Sequence, residues 1–123
     1  MADQSLLPDS MNLHLLQREA EGHMITMVVQ TIAPQAPCPL CERPSTTVHS
    51  HYTRLLADLP WMGYAVSLKL HLRRFFCQTA ECQRKNFAER LPTVVAPYAR
   101  RTLRLHDLFT LIGFAAGRRL AAF

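Results

Sequence analysis

The stretch VSLKLHLRRFFCQTAEC, residues 66–82, carries the two signals from which the fold can be read. Val66, Leu68, Leu70 and Leu72 alternate with Ser67, Lys69, His71 and Arg73, the period of two expected of a strand with one buried face. The other face is basic. Arg74 falls on the buried phase before Phe75 and Phe76, which predicts a bulge or the end of the strand there. Cys77 and Cys82 follow at once, and an earlier close pair stands in Cys38-Pro39-Leu40-Cys41.

Two short cysteine pairs separated by strand-like sequence form a metal-site pattern. Zn2+ takes four soft ligands in a tetrahedron, about 2.3 Å from each sulfur, and two knuckles on neighbouring hairpins supply them. Cys38, Cys41, Cys77 and Cys82 are therefore candidate ligands of one structural zinc ion. Three rival readings of the four cysteines are weaker. Two disulfides suit a secreted protein, but Asp3, Asp9 and Pro8 replace the basic and apolar segments of an export signal. A redox CxxC needs a βαβ context and leaves Cys77 and Cys82 without a role. An iron–sulfur site uses the same thiolates, with no sign of electron-transfer chemistry around them. His49 and His51 are a further pair, but four cysteines suffice, and a solvent-facing or nucleic-acid-facing role is favoured for them. His14, His23, His71 and His106 are isolated.

Working outward, residues 1–12 read as a flexible lead-in, because Pro8, Asp9, Ser10 and Asn12 break any pattern. Residues 13–18 and 23–32 are apolar runs separated by Glu21 and Gly22, read as a β-hairpin, with a helix over 11–21 as the competing reading of the first run. Three prolines within 33–39 deliver the chain in extended form to Cys38. Residues 46–52 and 54–59 are expected to be strands that pair, with Pro60 stopping the run. Trp61 after Pro60 is read as a core plug in preference to a base-stacking group, and Tyr98 stays open to either role. A helix is predicted from near Thr102, with Leu105, Leu108, Ile112 and Ala115 or Ala116 at helical spacing and Gly113 and Gly117 weakening or ending it. The expected class is α+β: a small zinc-ribbon-like antiparallel β module with an N-terminal β-hairpin and a C-terminal helix. The expected divisions are 1–12 as lead-in, 13–97 as the β domain and 98–123 as the helical segment.

At 123 residues, 49% hydrophobic and 19% charged, the chain has ordinary globular composition and room for a modest core. Its longest uncharged stretch near the end, residues 108–117, is too short to span a bilayer. No membrane role is expected. The net charge of +5 is uneven: three basic and six acidic side chains lie in residues 1–66, and eleven and three in residues 67–123. A concentrated positive field favours a polyanion. Lys69, Arg73, Arg84, Lys85, Arg100, Arg101 and Arg104 are the candidate phosphate contacts, the alternative being an ordinary solvated basic surface.

The phrases CPLC, VHSHY, ADLPW, LHLRRFFC, the following cysteine, FAERLP and APYARRT, in that order over residues 38–105, resemble the N-terminal zinc-finger region of ISL-three family insertion-sequence transposases. The resemblance implies zinc on the four cysteines and a region that helps grip terminal inverted repeats of double-stranded DNA in transposition. It also implies that a helix-turn-helix segment and a catalytic domain with acidic metal ligands follow. After Glu89 the one acidic residue here is Asp107, so no catalysis is expected and the chain reads as a truncated transposase in the cytoplasm. The alternative function is a zinc-stabilised protein-interaction module whose apolar helix pairs with a second copy or with a full-length transposase. A thiol oxidoreductase is disfavoured if zinc holds the four sulfurs.

Overall fold

The structure is a computed structural model and describes residues 5–116. β1 (Leu13–Glu21) and β2 (Met24–Thr31) form an antiparallel hairpin turned at Gly22, whose φ of 59° is open to glycine without a Cβ clash. β3 (Ala36–Pro37) and β4 (Pro44–Ser45) make a small two-stranded sheet around the first cysteine pair. β5 (Val48–Trp61) and β6 (Tyr64–Phe76) form the long hairpin. Its loop, Met62-Gly63, has both residues at positive φ (47° and 83°), the twist that suits a two-residue hairpin turn. β7 (Asn86–Ala88) follows the second cysteine pair, and α1 (Leu103–Ala116) closes the described chain.

The main sheet runs β1-β2-β6-β5, with β7 also on β6. One feature departs from an all-antiparallel module: β2 pairs β6 in parallel, from Met24 opposite Ala65 to Gln30 opposite His71. Both strands run toward the cysteines because each feeds a knuckle, β2 leading to Cys38 and β6 to Cys77. β5, which lies between them in sequence, runs back along the far edge of β6. β6 thus has β5 along one edge, and on the other β2 over its first part and β7 over residues 74–76.

Residues 46–59 do not form two paired strands. Residues 48–59 belong to the single strand β5, which passes through Pro60 to Trp61 with a register irregularity after Asp58. β5 is an edge strand, where a proline's missing N–H breaks no ladder. The irregularity foreseen at Arg74 is a bulge on the opposite strand: Ser50 faces Arg74 and Val48 faces Phe75, leaving His49 as the extra residue. β6 continues to Phe76.

Two cores result. Val66, Leu68, Leu70 and Leu72 are buried as their alternation required, together with Leu13, Ile25, Met27, Val29, Leu56, Val94 and Val95. Trp61 packs half-buried against them. The second core is small: Ala36, Cys38, Phe75 and Phe87, with the other three cysteines against it. Phe75 lies an odd number of residues from Leu72, so β6 serves the two cores from opposite faces.

Residues 5–12 are not a loose lead-in. Leu7 is buried in the principal core, Leu13 N–H donates to the Asp9 carbonyl at 3.0 Å, and Thr93 Oγ1 donates to the Asp9 carboxylate at 2.8 Å. Hydrogen bonds to the carboxylate from Asn12 Nδ2 at 2.8 Å and from Thr93 hold the Asp9 carboxyl below its ordinary range. The helix begins where expected. Thr102 is fully buried and its Oγ1 accepts from Leu105 N–H at 3.4 Å as a cap, while donating to Asp58 at 2.7 Å. Leu105 is buried and Leu108 half-buried, but Ile112 is 44% exposed, so the apolar stripe is covered only over the first turns. Gly113 lies within the helix, and Gly117 lies outside the described residues.

Candidate metal centre

The first knuckle is a tight turn. Cys38 N–H donates to the Arg43 carbonyl at 3.0 Å, Glu42 N–H donates to the Cys38 carbonyl at 2.8 Å, and Glu42 takes a positive φ of 64°. The second knuckle leaves β6 at Phe76 and returns at β7, with Cys77 N–H donating to Lys85 and Cys82 N–H to Thr79. Phe75 and Phe87, opposite each other in register and stacked at 5.9 Å, form the apolar floor that holds the two knuckles face to face.

All four sulfurs lie within 4.8 Å of one another, with Cys38 to Cys82 at 3.9 Å and Cys41 to Cys77 at 3.6 Å. Four sulfurs at about 2.3 Å from a tetrahedral zinc ion stand about 3.8 Å apart, so the spacing fits the ion. The donor set fits as well: four thiols, none in a disulfide, on a floor without competing carboxylates. Thr79, which the sequence reading did not single out, lies 3.5 Å from Cys41 Sγ.

The protonation of the site is uneven. The Thr79 hydroxyl and the Arg43 amide pull the Cys41 thiol down to about 6. Cys82 is pushed up to about 11: the Arg84 amide works against the shift, and desolvation and the three neighbouring cysteines outweigh it. Crowded thiolates need a cation between them. Zinc takes thiolates, so loading it must displace thiol protons from the cluster, that of Cys82 foremost. Zinc affinity is therefore expected to climb with pH through the neutral range, as a displaced proton requires. A chelator-competition titration at several pH values checks this, and a flat profile would contradict it.

The decisive comparison concerns the segment that holds both knuckles. Residues 34–85 match the zinc-finger of transposases IS204/IS1001/IS1096/IS1165. Comparison with curated proteins and with solved structures returned no match. The matched segment spans β3 to β6 and holds all four cysteines, and the match and the cluster together support a zinc-binding module.

The candidate phosphate contacts fall into two groups. Lys69, Arg84, Lys85, Arg100 and Arg101 are exposed, with Arg101 stacked 4.8 Å over the Phe109 ring. Arg73 and Arg104 are placed otherwise. Arg73 donates to Glu89 and to the Ala33 carbonyl, and Arg104 to Asp58 and the Leu6 carbonyl. Both carboxylates are buried, with side chains 4% and 1% exposed, so these two guanidinium charges are neutralised inside the fold. His49 and His51 are exposed and outside the metal cluster, His49 lying edge-on to Phe76. Arg54, Arg74 and Arg90 were not among the candidates, since no local pattern shows which arginines a fold brings together.

Proposed function

We propose that the chain is a DNA-binding module that helps engage the terminal repeats of a mobile element, without catalysing strand cleavage itself. The observation that carries this reading is the four-cysteine cluster inside the segment that matches a transposase zinc finger. The exposed cations Lys69, Arg84, Lys85, Arg100 and Arg101 support it, since lysines and arginines facing solvent can neutralise phosphates without reading bases. The cytoplasm is the setting this implies, and among the described residues no helix is long and apolar enough to cross a membrane.

Arg100 and Arg101 stand exposed next to the start of α1. Replacing both with alanine is expected to weaken binding to all duplexes alike and to lower the salt slope by roughly two, about 0.9 per phosphate contact. Fluorescence anisotropy at several salt concentrations measures this. An unchanged slope would mean that these side chains face only solvent.

A second reading has its own observation. Phe109, Leu111, Ile112 and Phe114 are 49%, 65%, 44% and 81% exposed, an apolar surface that a second copy or a full-length transposase would cover. If the folded, zinc-loaded chain binds no duplex, this interaction-module reading replaces the first, and native mass spectrometry would report the partner copy.

A further inference from the structure

Four arginines outside any ion pair among the described residues converge on one hollow. Between β5, β6 and the segment 84–98 lies a cleft of about 350 Å³, lined by Arg54, Arg74, Arg84 and Arg90 with Tyr52 and Tyr98. Its size is that of a small-ligand site, roughly 300–1,000 Å³. The carboxylate that reaches the cleft, Glu89, is already held by Arg73 and Thr31. Three of the four are held by neutral groups: Arg54 donates to the Ala99 carbonyl, Arg84 Nε to the Asn86 carbonyl at 3.3 Å, and Arg74 lies 5.7 Å over the Tyr52 ring, while Arg90 is exposed. The orientation of those three is set while their charge stays available. Like charges gathered in a concave wall focus a positive potential, and guanidinium forks match phosphate oxygens.

The rim supplies a second kind of group. Tyr98 is 95% exposed and sits at φ 63°, a left-handed conformation that costs a non-glycine residue about 1–2 kcal/mol. Strain held at one position is a pointer to use. The ring stands at the mouth of the cleft with both faces open to a planar partner. Inside, burial pushes the Tyr52 hydroxyl up while Arg54 and Arg74 pull against the shift, so it remains a protonated donor at neutral pH.

We propose that this cleft holds one unpaired nucleotide of a DNA strand, with its phosphate on the arginines and its base stacked on Tyr98. The proposal rests on the DNA-binding reading and adds a single-strand site to it. A base inside a duplex has both faces covered by its neighbours, whereas an unpaired base has a free face, and stacking on an aromatic ring is tolerant of sequence.

The test uses the full, zinc-loaded chain and three probes: a short labelled single strand, a labelled duplex of the same sequence, and free deoxyadenosine monophosphate as competitor. Tyr98→Gly removes the ring and relieves the positive φ, so loss of folding does not explain its effect. It is expected to weaken single-strand binding about 5- to 150-fold, as loss of one stacked base implies, and to leave duplex binding unchanged. Tyr98→Phe should bind like the wild type. Arg74→Ala/Arg90→Ala should lower the single-strand salt slope by about 0.7, the share of the one phosphate that the cleft holds. Single-strand binding untouched by these changes, or single-strand and duplex binding weakened equally, overturns the site. So does free nucleotide that competes as well as the strand, which would make this a mononucleotide pocket. A wild type that binds the single strand but no duplex removes the duplex reading above and leaves the cleft standing.

Discussion

Stripping zinc from the purified chain is expected to abolish amide protection across both knuckles and β7 while the leucines of β6 keep theirs. The second core has four buried residues, and its remaining contacts are the cysteines themselves. Without the ion, Phe75 and Phe87 are left as one stacked pair, too little to offset the ordering of the 34–47 and 77–88 segments at about 1–2 kcal/mol per residue. Structural zinc contributes about 10–16 kcal/mol of apparent binding energy in small fingers, so the ion decides this end of the molecule. The principal core has Leu13, Val29, Leu68, Leu70 and Val94 fully buried and does not touch the site, so unfolding should spread from the cysteine end and lower the melting temperature of the remainder. Cys38→Ser and Cys77→Ser should be equally damaging, since each removes one of four ligands. Hydrogen exchange with and without chelator is the measurement. Protection at Cys38, Cys77 and Phe87 that survives metal removal would sink the claim that zinc builds this end.

The second large effect lies at Glu89. Its carboxylate accepts from Thr31 Oγ1 at 2.6 Å, from Arg73 N–H at 2.8 Å and from the Arg73 guanidinium at 3.0 and 3.2 Å. Glu89 N–H donates back to the Arg73 carbonyl at 3.0 Å. Glu89→Ala strands a largely buried guanidinium and a buried hydroxyl, and removing one partner of such a pair costs about 3–5 kcal/mol. Urea denaturation of the zinc-loaded protein reads that loss. Arg73→Met/Glu89→Leu should recover much of it, because paired apolar groups leave no charge unmatched. A Glu89→Ala loss of only a few tenths of a kcal/mol, the scale of an exposed pair, would show that the network is solvated.

Much of this was legible in single segments. The leucine alternation of residues 66–72, the hairpin turned at Gly22, the helix capped by Thr102 and the two cysteine pairs are local signals, and each appears where its pattern placed it. What failed was long-range. Nothing near Pro60 reveals that its strand lies at a sheet edge, where proline is tolerated. Nothing around Ile25 shows that its neighbour is Val66 in a parallel register. Arg73 and Arg104 read as surface cations because their carboxylate partners lie 16 and 46 residues away. The cleft arginines lie on β5, on β6 and in the segment beyond the second knuckle, and only the folded sheet brings them to one hollow. Leu7 looked like part of a lead-in for the same reason.

The change of face along β6 makes the pose of the metal end a matter of counting. Leu72 looks into one core, Phe75 into the other, and two arginines stand between them. One residue gained or lost in that short span would turn the cysteine knuckles to the wrong side of the sheet while leaving every side chain chemically intact. The bulge at His49 absorbs an odd residue on β5, whereas an odd residue in β6 would reverse the face that carries the second core. Length variation between residues 72 and 75 is therefore forbidden in a way that substitution there is not, and a frame-preserving insertion at that point would act as a null allele of the metal site.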